Sequence, residues 1–221
     1  MGFYRGPNIV TDGLVFAVDA GSTRSYAGSG TTAYNLVANN DISLINGLGW
    51  QSGNGGYFSS DGTDDGMTTP DATNLDLVDF TLEGWVWWDQ HKDYGSFLVK
   101  GPGGSGNLFN YSFFGYATTV SFGYGDGSNY RATSISSPAI NEWHHIIGTY
   151  DGSTLKFYLN STLTNSNTTS ATPNQNNDAL QILQSNYSID GRIGCARVYN
   201  RALTSAEVTQ NFNAQKSRFG L

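Results

Sequence analysis

Charge is scarce in this chain. Asp, Glu, Lys and Arg make up only 13% of 221 residues, and the eleven lysines and arginines are scattered rather than grouped. Binding nucleic acid requires clustered cations that neutralise phosphate. A net charge of −7 therefore argues against nucleic acid as a partner, and against anionic membrane surfaces too. Cysteine is almost missing. Cys195 stands alone, so no internal disulfide is available, and its apolar strand-like surroundings predict a buried, inert thiol. No run of 18 apolar residues occurs, so no membrane-spanning helix is expected. The opening "MGFYRGPNIVTDG" lacks the basic stretch and apolar core of a secretion signal, and none is expected. Glutamate is also rare: Glu83, Glu142 and Glu207 are all there is.

What the chain does have is aromatics (14%) and 28 glycines, the composition of an all-β protein with many turns. Asp-Gly pairs recur at 12–13, 61–62, 65–66, 126–127, 151–152 and 190–191, each punctuating an apolar run. "WHHIIGTY" followed by Asp151-Gly152 and "LKFYLN" alternates with period two, a β-hairpin pattern. Further strands are expected at 14–19, 56–60, 80–89, 96–100, 109–116, 119–124, 130–135, 179–183 and 191–199. Strands this dense, without intervening helices, predict a two-sheet antiparallel sandwich. One helix is expected near 205–215. Thr204 and Glu207 form a capping box, Leu203 staples onto Val208, and Val208 and Phe212 share a face. The Asn/Ser/Thr-rich stretch 159–184 reads as a polar hairpin and surface loop within a single domain, residues 13–221, that follows an N-terminal arm, 1–12.

Several residues invite chemistry. His144 and His145 are adjacent on a strand and so point to opposite faces; they cannot share one metal, and one is expected in the core with the other facing solvent or a groove. Asp61, Asp64 and Asp65 cluster within five residues, suiting either calcium, which takes grouped oxygens, or plain tight-turn chemistry. Trp85, Trp87 and Trp88 fall on both faces of one strand, so at least one is expected on an outer or concave surface. Together with His91, Tyr94 and Tyr111, Trp87 and Trp88 are candidate ligand contacts, by ring stacking on sugars. Protein–protein contact, where Trp and Tyr are also enriched, explains the same residues. A glycosidase needs two carboxylates close together; Asp79 and Glu83 share a face but lie roughly 13 Å apart at about 3.3 Å per residue, so no catalytic residue is expected.

"GLVFAVDAG", "GGYFSSDGTDDGM", "DFTLEGWVWW", "SFLVKG", "EWHHIIGTYDGSTLKFYLNS" and "IDGRIGCARVYNRALTSAEV" follow one another in an order that resembles the laminin-G-like, concanavalin-A-like jelly-roll superfamily over roughly residues 13–210. The resemblance implies two antiparallel sheets of six or seven strands, the first strand beside the last, and calcium near the acidic loop. It includes endo-glucanases, whose alternating Glu-Asp-Glu strand this chain lacks. An Asn-Gly hairpin is a family habit; here Ser161 follows Asn160, so a turn other than type I′ is expected. The prefix "YRGPNIVTDGLV" with "STRSYAGSGTTAYNLV" is similar to a subgroup in tailed-bacteriophage structural proteins. That similarity implies a non-enzymatic virion protein, a capsid or tail decoration or fibre-type adhesin, present as a homo-oligomer or in many copies on the particle surface. Its partners would be virion proteins and cell-surface glycans. A free carbohydrate-binding lectin or accessory module is the alternative.

Overall fold

The structure, a computed structural model, describes residues 7–38, 40–104, 106–183 and 187–221. Two antiparallel sheets of eight strands each are stacked face to face, where six or seven were expected. Sheet A runs β14 (Thr162–Thr168), β13 (Thr154–Leu159), β12 (Trp143–Tyr150), β7 (Phe80–Gln90), β16 (Asp190–Tyr199), β5 (Tyr57–Asp61) and β4 (Gly49–Gln51), with β1 (Leu14–Asp19) also against β16. Sheet B runs β11 (Tyr130–Ser136), β10 (Thr119–Gly125), β9 (Tyr111–Tyr116), β8 (Gly95–Lys100), β15 (Leu180–Ile182), β6 (Gly66–Thr69), β3 (Asp41–Ile45) and β2 (Thr32–Tyr34). β1 and β16 pair from Leu14 opposite Tyr199 to Asp19 opposite Cys195, so the first strand does lie beside the last. The strands not foreseen, β2, β3, β4 and β6, have three to five residues each. No helix among the described residues is long and apolar enough to cross a membrane.

The core lies between the sheets. Phe80, Leu82, Val86 and Trp88 of β7 join Phe113, Phe122 and Tyr124 of sheet B in one buried cluster. Sheet approach is close at Gly84, where a Cβ would come within 2.0 Å of the Phe97 ring; only glycine fits there.

The other face of sheet A is covered by α1 (Ser205–Gln215) and the tail that follows. The helix begins at the expected capping box, Thr204 and Glu207 bonding reciprocally, and Leu203 and Val208 share a buried cluster. Phe212 and Phe219 stack on Trp85 with centroids 5.8 and 4.3 Å away. Beneath them Glu83, fully buried, takes Arg197 at 2.6 Å and His145 Nε2 at 3.0 Å on Oε1, and Asn211 at 2.8 Å on Oε2. The N-terminal arm is stitched to the same place: the Val10 amide donates to Asn211 Oδ1 at 2.7 Å, and the Tyr199 hydroxyl lies 3.1 Å from the Val10 carbonyl. Residues 1–6 of the arm lie outside the described residues.

Two expectations are corrected here. His144 and His145 do point to opposite faces, but neither meets solvent: they are 3% and 1% exposed, because α1 roofs the outer one. The Asn160-Ser161 turn has φ of 48° and 67°, both positive as a type I′ turn demands; the two-residue connection between β13 and β14 imposes it although Ser161 is not glycine.

The polar stretch after β13 is a hairpin strand, β14, followed by a strap across one end of the sandwich. Its side chains and backbone clamp other segments: Asn174 and Asn176 donate to the Leu108 carbonyl at 2.8 and 3.0 Å, and Gln175 to Leu77 at 3.0 Å. The Asn176 carbonyl in turn accepts at 2.7 Å from Lys100, a fully buried cation that also meets Asp71 and Asp76 at 2.9 and 2.8 Å.

Candidate functional site

On the outer face of sheet B, beside the short 3-10 turn Gly106–Leu108, the chain exposes rings. Along β9, Tyr111 and Phe113 point into the core while Phe114 and Tyr116 point out. Register sets Phe114 opposite Ser96 on β8 and Ser121 on β10, small residues that leave its ring uncovered. Three other segments bring rings to it. Tyr94, in the turn between β7 and β8, lies 5.3 Å from Tyr116; Tyr187, before β16, lies 6.5 Å from Tyr94; Tyr130, opening β11, lies 5.0 Å from Phe114. Phe114 and Tyr116 are 5.6 Å apart. Five rings thus follow one another along a groove of about 490 Å³, with Asn107, Ser128 and Asn129 on its walls.

Each ring is held. The Asp93 carboxylate accepts the Ala117 amide at 2.9 Å, tying the Tyr94 turn to the β9–β10 turn. Tyr187 is fixed by its carbonyl, which accepts from the Ser96 amide. The Tyr130 and Ser112 hydroxyls bond at 2.9 Å. Gly106 lies flat beneath Tyr130, where a Cβ would meet the ring at 3.3 Å. The rings are mutually tilted, with interplanar angles of 53° to 75°, so the groove offers both faces and edges. Tyr94 is 56% exposed and sits at φ +63°. A bulky side chain in the left-handed region is strained, and such strain clusters at ligand clamps. A concave site with apolar walls and a few placed polar groups is the usual form of a small-ligand pocket.

Of the residues singled out from sequence, Tyr94 lines this groove, and so do Phe114 and Tyr116 of the 111–116 strand that sequence placed beside it. Trp88 (4% exposed) and Tyr111 (0%) belong to the core, which corrects their assignment as surface contacts; the pleat turned each to the inner face. His91 packs on Trp88 and bonds the Pro138 carbonyl through Nε2 at 2.7 Å. Trp87 lies on the opposite sheet, half-buried, its indole N–H on Asp89 at 2.9 Å and the Arg192 guanidinium 4.5 Å above its ring. Tyr130, Tyr187 and Asn107 were not foreseen. Within "YSFFGY" it is the parity of Phe114 and Tyr116, not that of Tyr111, that faces the groove; nothing local marks Tyr130 or Tyr187.

Carboxylate oxygens of Asp61, Asp64 and Asp65 lie within 4.8 Å of one another. Burial, then repulsion from Asp61 and Asp64, pushes the Asp65 carboxyl up against a bond from the Asp61 amide. The hydrogen bonds are those of a tight turn: Asp61 Oδ1 accepts the Thr63 amide at 2.8 Å, and Asp65 Oδ2 the Asp61 amide at 3.1 Å. The Lys92 ammonium reaches the Gly62 carbonyl within the same loop. The three carboxylates would be the ones to hold a calcium ion; the turn bonds use two of their six oxygens.

Glu83, the other acid weighed from sequence, is fully buried. Burial alone would raise its carboxyl, but the Arg197 charge and the His145 bond hold it at about 2. Its oxygens are all taken by protein donors, which suits an internal ion pair and not a reacting group. The Cys195 thiol is buried and pushed up to about 12 by that burial, the inert thiol expected.

Comparison with known proteins agrees with this fold. Residues 61–209 match the model of the concanavalin A-like lectin/glucanases superfamily described as Laminin_G_3. The botulinum neurotoxin serotype D binding domain superposes with a TM-score of 0.73 at 12% identity, over 92% of this chain and 52% of that one. A botulinum neurotoxin type C structure, whose cell entry is described as dependent on interaction with two ganglioside molecules, gives 0.71 at 12% identity, over 92% and 51%. Trypanosoma rangeli sialidase in complex with sialic acid gives 0.69 at 17% identity, over 96% and 35%. The chain thus spans about half, or a third, of these structures' lengths, and at such identities the likeness is one of fold. No curated protein sequence matches significantly.

Proposed function

Because the chain belongs to the concanavalin A-like lectin/glucanase superfamily, we propose that it is a non-enzymatic glycan-binding protein that holds its ligand in the ring-lined groove of sheet B. The observation that carries this reading is the run of five rings, with its most exposed member, Tyr94, held in strained backbone. Sugar C–H groups meet the negative faces of aromatic rings favourably, while Asn107, Ser128, Asn129 and the phenols supply hydrogen bonds to hydroxyls. The neighbouring toxin structure described with gangliosides and the sialidase described with sialic acid support sugar as the ligand class. A non-enzymatic role is supported by Glu83, sealed in its ion pair.

A glycan array probed with the intact protein tests this reading. Binding is expected, and Tyr94→Ala and Tyr116→Ala are each expected to weaken it, while Trp87→Ala on the opposite sheet leaves it intact. Binding that is as tight without both tyrosines as with them removes the groove from consideration.

The finer reading is a bacteriophage virion protein, a capsid or tail decoration or fibre-type adhesin. It rests on the sequence similarity of the prefix. Many copies on one particle would turn a weak single contact into useful avidity. Co-purification with particles at fixed stoichiometry is expected; recovery only as a free protein favours a soluble lectin.

A further inference from the structure

Resting on the glycan reading of the groove, we infer that its ligand is an uncharged oligosaccharide, and that sialylated or otherwise anionic glycans are rejected. The described lining consists of Tyr, Phe, Ser, Gly and Asn, with no Lys, Arg, His, Asp or Glu. The undescribed residues close by in sequence, Ser105 and Gln184–Asn186, carry no charge either. The neighbouring charges are engaged outside that lining: Asp126 holds Arg131 through Nε at 2.7 Å, Asp93 accepts a backbone amide, and the Lys92 ammonium is turned to the Gly62 carbonyl. A carboxylate brought against these rings would lose its hydration with no cation in return, which is strongly unfavourable. The chain as a whole, at −7, also repels anions at long range. Hydroxyls, by contrast, find phenols, side-chain amides and two serines in the lining as uncharged hydrogen-bond partners. This separates the site from the sialic-acid and ganglioside ligands named for structural neighbours.

The test is a titration calorimetry comparison using the intact protein and matched pairs: neutral galacto-, gluco- and manno-oligosaccharides against their sialylated or C6-oxidised counterparts. A neutral member is expected to bind about tenfold or more tighter than its anionic partner. Part of the gap should close between low and high salt as the long-range repulsion is screened, and the remainder, the local desolvation, should persist. Equal or tighter binding of the anionic members overturns the inference while leaving the groove as a glycan site, provided Tyr94→Ala weakens it. Absence of binding by every probe, neutral and anionic, overturns the glycan reading itself and this inference with it.

Discussion

Asn165 and Ser134 belong to different sheets, yet the Asn165 amide donates to the Ser134 carbonyl at 2.8 Å. Two residues along, Asn167 does the same to Ala132, also at 2.8 Å. β14 ends sheet A and β11 ends sheet B, so the two bonds lace the sandwich shut along one side. They also cap carbonyls that an open edge strand would offer to another chain.

Replacing both asparagines by alanine is therefore expected to do two things. Each exposed bond contributes about 0.5–1.5 kcal/mol, so the double variant should melt a few degrees lower, at roughly 2–4 °C per kcal/mol for a chain of this size. It should also associate, because the β11 edge is left uncapped. Calorimetry and light scattering read the two effects separately; a lower Tm without association removes the edge-capping role.

Glu83 predicts an acid limb to stability. Its folded carboxyl lies at about 2 against an ordinary 4.5, a difference on the order of 3 kcal/mol. A depressed carboxyl contributes stability that is fully present above the unfolded value, near 4.5, and is lost as pH falls through about 2. Urea midpoints should therefore drop between pH 5 and 2. Glu83→Gln, which leaves the Arg197 charge buried and unanswered, should cost about 3–5 kcal/mol at pH 7 and flatten that limb. An unchanged limb in the variant would assign it to other carboxylates.

Legibility from sequence followed how local each signal was. The capping box of Thr204 and Glu207, the Asp151-Gly152 hairpin and the long alternating strands depend on neighbours in the chain, and each is where the pattern put it. The groove depends on register. Tyr94, Phe114, Tyr130 and Tyr187 meet only because β8, β9, β10 and β11 align as they do, and the sequence leaves open which parity of β9 faces out. The burial of His145 depends on α1 crossing above it, which no strand pattern encodes. Asn174, Gln175 and Asn176 look like linker composition, whereas each amide has a specific carbonyl partner.

The Asn160-Ser161 turn can be improved. A non-glycine residue in the left-handed region costs roughly 1–2 kcal/mol, and Ser161 is at φ 67°. Glycine removes that strain and gives back part of it as unfolded-chain entropy, roughly 0.5–1 kcal/mol. Ser161→Gly is expected to raise Tm by about 1–3 °C and to leave glycan binding unchanged, since the turn joins strands of sheet A, away from the groove lining. A fall in Tm would mean that the serine makes a compensating contact.

Tyr94 poses the same strain with the opposite consequence. At φ +63° it is held in a backbone state that favours glycine, yet over half its surface is exposed, so little burial offsets the strain. Tyr94→Gly should therefore stabilise the fold, by about 1 kcal/mol or somewhat less, seen as a Tm rise of about 2–4 °C at most. If the ring is retained for its ligand, the same variant should lose glycan affinity by about two- to tenfold, in line with the roughly 0.5–1.5 kcal/mol of a well-placed aromatic contact. Tyr116→Ala supplies the control, because Tyr116 shares the groove without the positive φ and should weaken binding without raising Tm. A stabilised Tyr94→Gly variant that binds as tightly as the parent would separate the strain from the ligand, and the groove would lose its strongest residue.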